Sequence, residues 1–390
     1  IVGGDLIVHN YDNGEENNIV LANKLQATGD IRIINEEANV GVGTCADIIA
    51  TNITLQADNN NVVVAGSKLT TTETVLLDGV NVTVSGGTVK AKEAKLEADK
   101  DISLSGGSIT ADTTTVLTAT SGAIIESAGF VLNTALVKAK AAGAISLASQ
   151  NNQLHNVLVA NTIGDVTIYN GNSTAQDLNI AILSEGTEGA RVNGDLIVHN
   201  YNNGLANKIA LNKQLAATGN ISLINDEADI TVSEGAALSA QNITLQADNN
   251  AVVVDGGTLT AASDNAEAGV VTLDGNSVQL KSGTITAKTT NLTSDTTITE
   301  NEGFALVTPV LNTSANGITD LQSTANQLEQ VNINHALGSV TIFSTNVSNA
   351  HALTVNTAEA IQGSLSVTNN ADESSYDNAI ELSNALQATG

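Results

Sequence analysis

The chain has 390 residues, a formal net charge of −27 and only 2% aromatic residues, and it lacks Met and Trp. So acidic a surface repels nucleic-acid phosphates and anionic lipid headgroups, which excludes both as partners. The sequence contains no run of about 18 apolar residues, so we expect no membrane insertion. An apolar set made of Val, Ile, Leu and Ala favours a narrow, regular interior built of strands.

A long internal repeat starts near the first residue. The segment GDLIVHNYDNG occupies residues 4–14, GDLIVHNYNNG occupies 194–204, and a further start, GSLSV, occupies 363–367. Recurrence over such a distance is typical of stacked architectures, in which each copy presents the same faces to its neighbours. We therefore predict a first long repeat over 1–193, a second over 194–362 and a truncated third over 363–390.

A shorter period lies inside the long one. Apolar residues alternate with polar ones in segments spaced by about 20 residues, and a glycine follows each segment; the pairs are Val62/Val64, Val82/Val84 and Ile102/Leu104, followed by Gly66, Gly86 and Gly106. Further along, GAISL begins at 143 and GDVTI at 164. Alternation of period two between Gly and Asn turns is typical of short strands. The segment most similar to a helix, 134–144, is short and occupies the place of a strand.

Strands of about five residues that recur every 20–25 residues predict an all-β fold, a right-handed parallel β-helix. We expect about 17 or 18 coils, each stacking its Val, Ile and Leu on those of the coil below. Asn at the turns tolerates left-handed backbone and can hydrogen-bond from coil to coil. The alternative architecture, a string of β-sandwiches, needs longer connections and a more aromatic core.

Several short patterns suggest chemistry but lack the partners that it requires. IVGG at 1–4 matches the mature start of trypsin-like proteases, yet the sequence contains no GDSGG. The single cysteine, Cys45, corresponds to Gly235 in the second copy, so no disulfide framework is expected. No two histidines have the spacing of a transition-metal site; they are His9, His155, His199, His335 and His351.

Acidic clusters raise the question of a hydrolase or a calcium site. They comprise Glu15–Glu16, Glu36–Glu37, and Asp226, Glu227 and Asp229. A glycosidase needs carboxylates that converge on one face, and calcium loops need a defined ligand spacing, which is absent.

Aromatic residues recur at matching repeat positions, which indicates packing; the pairs are Tyr11 with Tyr201, Phe130 with Phe304, and Tyr169 with Phe343.

Eight Asn-x-Ser/Thr triplets raise the question of glycosylation, for example at Asn52, Asn81, Asn172 and Asn242. A chain so rich in Asn and Thr produces about that number by chance. From these patterns we expect no catalytic, cofactor-binding or metal-binding residue.

The segment GAIIESAGFVLNTALVKAKAAGAISLASQNNQLHNVLVANTIGDVTIYN, residues 122–170, resembles the repeats of filamentous-haemagglutinin-like adhesins of bacterial two-partner secretion. The resemblance rests on strands of the form G-x-hydrophobic-x-hydrophobic and on the order of AGAISL, NQL and GDVTI, and it covers most of the chain. It implies an extracellular, right-handed β-helical rod at a bacterial cell surface, which mediates attachment or forms fibres.

The expected function is structural and non-catalytic: the shaft of a large adhesin or extracellular fibre. One alternative is a subunit of a filament or sheath that stacks end to end, and another is a β-helical polysaccharide-degrading enzyme. The expected partners are further β-helix copies, through the ends or neighbouring repeats, and the surface of a host or neighbouring cell.

Overall fold

The computed structural model describes residues 1–161, 163–183, 191–201, 204–262, 269–346, 352–371, 379–383 and 388–389. The chain is a parallel β-solenoid of about 16 turns, and no helix occurs in the described ranges. It divides into two compact units, residues 1–203 and 204–390. The predicted fold class is confirmed, whereas right-handed winding and the repeat boundaries at 193/194 and 362/363 stay predictions.

The expected count of 17 or 18 coils is too high, because some coils are longer than the expected 20–25 residues. Asn170 contacts Asn200 in the next coil, 30 residues on. Likewise Asn242 contacts Val270, 28 residues on. The insertion SDNAEA, 263–268, which the sequence places in that second coil, lies outside the described residues.

Unit 1 contains short strands separated by turns. They are β1 Leu6–Asn10, β2 Ile19–Leu21, β3 Leu25–Gln26, β4 Ile31–Asn35, β5 Val40–Val42, β6 Asp47–Ala50, β7 Ile53–Ala57, β8 Val62–Ala65, β9 Lys68–Thr71, β10 Thr74–Gly79, β11 Val82–Ser85, β12 Thr88–Ala98, β13 Ile102–Ser105, β14 Ser108–Ala119, β15 Ile124–Glu126, β16 Val131–Ala141, β17 Ile145–Leu147, β18 Gln153–Asn161, β19 Val166–Asn170, β20 Leu178–Ile182 and β21 Leu196–Asn200.

Unit 2 contains short strands of the same kind and some longer strands that continue from one stack into the next. They are β22 Ile209–Leu211, β23 Gln214–Ala216, β24 Ile221–Asn225, β25 Ile230–Ser233, β26 Ala237–Ala240, β27 Asn242–Ala261, β28 Val270–Thr286, β29 Thr289–Glu300, β30 Phe304–Val307, β31 Val310–Ala315, β32 Thr319–Leu321, β33 Gln330–Ala336, β34 Val340–Asn346, β35 Leu353–Thr357, β36 Leu365–Ala371 and β37 Ile380–Leu382.

The strands of unit 1 form three parallel stacks. The first stack contains β1, β4, β7, β10, the later parts of β12, β14, β16 and β18, and then β20. The second runs through β2, β5, β8, β11, β13, β15, β17, β19 and β21. The third contains β3, β6, β9 and the early parts of β12, β14, β16 and β18.

Unit 2 also has three parallel stacks. One contains β22, β25, the middle of β27, later parts of β28 and β29, and then β32, β34 and β36. A second contains β24, the starts of β27, β28 and β29, and then β31, β33, β35 and β37. The third contains β23, β26, the ends of β27 and β28, and β30.

The interior is made of aliphatic columns that run from coil to coil. In the second stack of unit 1, Val64 pairs with Val84, and Val84 pairs with Leu104. All three side chains are at most 1% exposed. Side chains of period two point alternately in and out, so the alternating pattern fills the interior and leaves polar residues outside. Small branched side chains fit because each coil must occupy the same narrow section as its neighbours.

Candidate functional site

The repeated histidine and tyrosine form ring contacts on the outside of unit 1. His9 and Tyr11 have ring centroids 3.9 Å apart, and their repeat equivalents His199 and Tyr201 are stacked at 3.8 Å. Tyr169, one coil earlier, lies edge-on to both rings of the second pair, at 6.2 and 5.5 Å. Each His–Tyr pair therefore packs within its own coil, and Tyr169 packs on the second pair from the coil below.

The acidic cluster of the first turn binds its own backbone. Glu36 Oε1 lies 2.7 Å from His9 Nε2, and Glu36 Oε2 accepts the backbone N–H of Asp12 at 3.1 Å. Glu37 accepts backbone N–H groups of the loop in the coil below it, from residues 13, 14 and 15. These carboxylates hold a turn in place and do not converge on an open face.

The corresponding acidic cluster of unit 2 also contacts its neighbours. Asp229 forms an ion pair with Lys208 at 3.0 Å and accepts the backbone N–H of Ala251 at 3.1 Å. No group of three His, Cys, Asp or Glu side chains that could hold a metal ion occurs among the described residues. The described residues also contain no helix of the length and apolar character that a membrane crossing requires.

His155, His335 and Cys45 have separate surroundings. His335 contacts Glu359 at 2.8 Å, and burial lowers the pKa of His155. His351 lies outside the described residues. Cys45 is a free, exposed thiol. Within the part of the chain that the structure describes, none of these groups belongs to a metal-binding set.

The asparagines of the glycosylation triplets make contacts between coils. The side-chain amides of Asn52, Asn81 and Asn242 each donate to the coil below at 2.8 Å, to Asp30, Asn61 and Asn220. Asn172 is fully buried. An amide that is hydrogen-bonded in this way has a structural role, which supports the interpretation that these triplets arise from composition.

A buried glutamate in unit 1 interrupts an aliphatic column. Glu126 pairs in register with Leu104 below and Leu147 above, in the second stack, and is only 2% exposed. Its Oε2 accepts the backbone N–H of Ser149 at 3.0 Å and the side-chain amide of Asn152 at 2.8 Å. Its Oε1 is buried without a hydrogen-bond partner. A carboxyl in such a place is unusual, because carboxylates are almost never fully buried unless they are paired.

The same arrangement recurs in unit 2, at positions with the same spacing. Glu300 pairs with Leu280 and is 8% exposed. Its Oε2 accepts the N–H of Ser323 and the amide of Asn326, both at 2.8 Å, and its Oε1 also lacks a partner. We call the two sets, Glu126 with Ser149 and Asn152 and Glu300 with Ser323 and Asn326, the carboxyl clamps.

Each carboxyl clamp joins successive coils. The side-chain oxygen of Asn152, whose amide is bound by Glu126, accepts the backbone N–H of Leu132 at 2.8 Å. The backbone carbonyl of Asn152 accepts the N–H of Gly171 at 3.0 Å. In unit 2, Asn326 accepts the N–H of Leu306 at 2.9 Å. The asparagine thus satisfies backbone groups that the turn would otherwise bury unpaired.

Burial dominates the protonation of the clamps. It raises the pKa of Glu126 to about 7, although the hydrogen bonds from Asn152 and Ser149 lower it. Burial likewise raises the pKa of Glu300 to about 7, and the nearby Asp320 carboxylate adds a smaller contribution in the same direction. Removing a carboxylate from water disfavours its charged form, and no cation lies in either clamp to compensate.

Sequence analysis missed the clamps, although a signal for them is present. The apolar positions Ile102 and Leu104 are followed one coil later by Ile124 and Glu126, so an acid occupies the place of an aliphatic residue. A search for groups of carboxylates passes over a single carboxylate. The register of the short period is the feature that identifies it.

The first coil differs from its repeat equivalent in how well its inward residues are covered. Val8 of β1 is 38% exposed, whereas Val198 of β21, at the same place in the repeat, is fully buried. β21 pairs with β19 beneath it, from Val166↔Leu196 to Asn170↔Asn200. In that pair Asn170 donates its amide to Asn200 at 2.9 Å.

No known protein-family model, curated protein or solved structure matches the chain. A parallel β-solenoid of about 16 turns is compatible with the repeat region of a filamentous-haemagglutinin-like adhesin.

Proposed function

We propose that this chain is a structural segment of a large bacterial adhesin or extracellular fibre, located at the cell surface, and that it performs no catalysis. Its function is mechanical: to hold other parts of the fibre at a distance and to resist pulling. Attachment to a host or neighbouring cell is then a property of the assembled fibre. The resemblance of residues 122–170 to adhesin repeats supports the cellular setting.

One observation carries the proposal: the polar and aromatic groups that could do chemistry contact the neighbouring coil instead. The His9 ring contacts Glu36 of the next coil, and the Tyr169 ring packs on His199 and Tyr201. The side-chain amides of the Asn-x-Ser/Thr triplets donate hydrogen bonds to the coil below. An enzyme needs such groups to converge on a substrate. A load-bearing solenoid needs them between coils, because each coil is held only by its neighbours.

Single-molecule pulling between the two ends of the chain tests the proposal. A coil of 22 residues, such as that between Asp30 and Asn52, releases about 75 Å of chain when it unravels. We expect force peaks separated by that length or its multiples. Extension at low force without peaks would contradict a load-bearing role. Release of reducing sugar from a panel of acidic and neutral polysaccharides would instead favour the enzyme.

A second candidate is a subunit of a filament or sheath that stacks on further copies of the chain through its ends or neighbouring repeats. Strand edges with exposed aliphatic residues pair readily with other strands. In the covered copy, β19 supplies that pairing.

Sedimentation velocity over a concentration series distinguishes the two candidates. A single species at every concentration supports a segment of one continuous chain, and species that grow with concentration support stacking. If stacking occurs, Val8→Lys should abolish it, because the variant places a charge in the contact. The matched control Ile318→Lys changes a residue that is 51% exposed in unit 2 and should leave it intact.

A further inference from the structure

The two carboxyl clamps share their burial and their hydrogen-bonding pattern. Each glutamate stands in a column that is otherwise aliphatic, between Leu104 and Leu147 in unit 1 and next to Leu280 in unit 2. Each uses Oε2 for two donors and leaves Oε1 buried and unpartnered. An arrangement that recurs at the same place in both units is a property of the repeat, which calls for a physical explanation beyond filling the interior.

The neutral acid fits this site better than the carboxylate. With the proton on Oε1, Oε2 is a carbonyl oxygen that still accepts the serine N–H and the asparagine amide. Without the proton, Oε1 carries negative charge in an apolar column with no donor to stabilise it, and burying an unpaired charge is strongly unfavourable. Glutamine would supply the same acceptor oxygen but an amide that does not titrate in place of the hydroxyl, so only the acid makes the site depend on protons.

The charged groups around each clamp do not change this preference. The strands stacked against Glu126, β13 and β17, contain no titratable residue, and Lys138 of β16 and His155 of β18 lie on half-buried outward positions. Facing Glu300, β32 contributes Asp320, whose charge favours the neutral acid. Lys281 of β28 and Glu302 of the following turn are exposed.

We propose that the carboxyl clamps make the cohesion of the solenoid depend on protons: each clamp is closed when its glutamate is protonated and opens more readily when the proton leaves. Opening releases the turn that Ser149 and Asn152 hold in unit 1, and the equivalent turn at Ser323 and Asn326 in unit 2. The device does not depend on the cellular role proposed above, since it concerns the stability of the coils themselves.

The direction of the effect follows from where the proton binds. Burial raises the pKa of both glutamates from 4.5 to about 7, so between those values the closed clamp holds a proton that the opened one has lost. Raising the pH therefore favours opening. Between pH 5 and pH 8 the opening equilibrium of each clamp should increase about 100-fold, since each pH unit up to about 7 is a factor of ten.

Hydrogen exchange on the intact chain measures this opening. The backbone amides to follow are those of Ser149 and Ser323, which donate to the glutamates, with Val62, which donates to Asn81 at 2.9 Å, as a reference away from the clamps. After correction for intrinsic exchange rates, protection at the two serines should fall about 100-fold from pH 5 to pH 8, while that of Val62 changes little. Equal protection of the serines at both pH values would overturn the proposal.

The variant E126Q/E300Q should remove the pH dependence of both serine amides. The matched control E302Q/E329Q removes two charges from exposed positions and should behave as the unmodified chain. If E126Q/E300Q exchanges with the original pH dependence, the clamps are not its source. If that variant does not fold, the carboxyl carbon shifts of Glu126 and Glu300 in the unmodified chain decide: titration midpoints below pH 5 would overturn the proposal.

Discussion

At the scale of the residue, the structural role of a polar side chain depends on whether it forms a hydrogen bond with the neighbouring coil. Asn39, Asn61 and Asn81 each donate a side-chain amide to the Asn one coil below, at 3.1, 3.2 and 2.8 Å, starting from Asn18. The series ends at Asp101, whose backbone N–H bonds Asn81 at 3.2 Å. An aspartate carboxylate can accept but has no amide to donate, so the chemistry of one side chain ends the ladder.

Replacing one rung of the ladder should weaken unit 1 measurably. Asn61→Ala leaves the amide of Asn81 without its acceptor and removes the amide that Asn39 accepts. We expect a loss of about 1–2 kcal/mol in the free energy of unfolding, the usual consequence of unpairing partly buried polar groups. Urea unfolding followed by circular dichroism measures it. Asn133→Ala, at an exposed position of β16, is the control and should change stability by less than about 0.5 kcal/mol.

Equal losses in the two variants would mean that the ladder adds nothing beyond what any surface asparagine adds. Sequence reasoning predicts such ladders in kind, because Asn recurs at turns with the coil period. It does not predict the clamps, since Glu126 carries no local mark of burial. Only its alignment with Leu104 and Leu147 across coils reveals its position.

At the scale of the element, the same five residues can serve in different stacks. β1 and β21 both read LIVHN, yet β1 pairs in the first stack of unit 1 and β21 in the second. Period-two alternation predicts that each is a strand and which side chains point inward. It cannot predict which stack a strand joins, because all three stacks contain the same kind of inward aliphatic residue.

A glycine at a close approach between coils is sensitive to substitution at the scale of the element. A Cβ at Gly107 would lie 2.1 Å from the carbonyl oxygen of Gly87 in the coil below, whereas one at Gly3 would meet nothing within 4 Å. Gly107→Ala must push two coils apart or shift the backbone, so we expect a loss of about 1–3 kcal/mol, the range for overpacking. Gly3→Ala is the control and should be nearly neutral.

Hydrogen exchange locates the damage that Gly107→Ala causes. Since each coil contacts only its neighbours, faster exchange should be confined to β11–β16, and unit 2 should be unchanged. Faster exchange throughout both units would show that the solenoid unfolds as one cooperative body, against the nearest-neighbour description. A loss in Gly3→Ala as large as in Gly107→Ala would show that the approach to Gly87 is not the cause.

At the scale of the whole molecule, two sources of pH dependence act in the same direction. The chain carries a net charge of −27, and mutual repulsion of surface carboxylates weakens the folded state as pH rises. The carboxyl clamps add to this, because each loses about 3 kcal/mol of stabilisation between pH 5 and pH 8 if its pKa moves from 4.5 to about 7. Both sources predict a chain that is more stable at pH 5 than at pH 8.

Salt separates the two sources. In 1 M NaCl the screening length falls to about 3 Å, which suppresses repulsion between exposed carboxylates but does not reach a buried one. The unmodified chain should therefore keep a clear difference in unfolding free energy between pH 5 and pH 8 at 1 M NaCl, and E126Q/E300Q should lose most of it. Urea unfolding at the two pH values and two salt concentrations gives the four numbers needed for each protein. If salt alone abolishes the difference in the unmodified chain, surface repulsion explains all of it and the clamps contribute nothing to global stability.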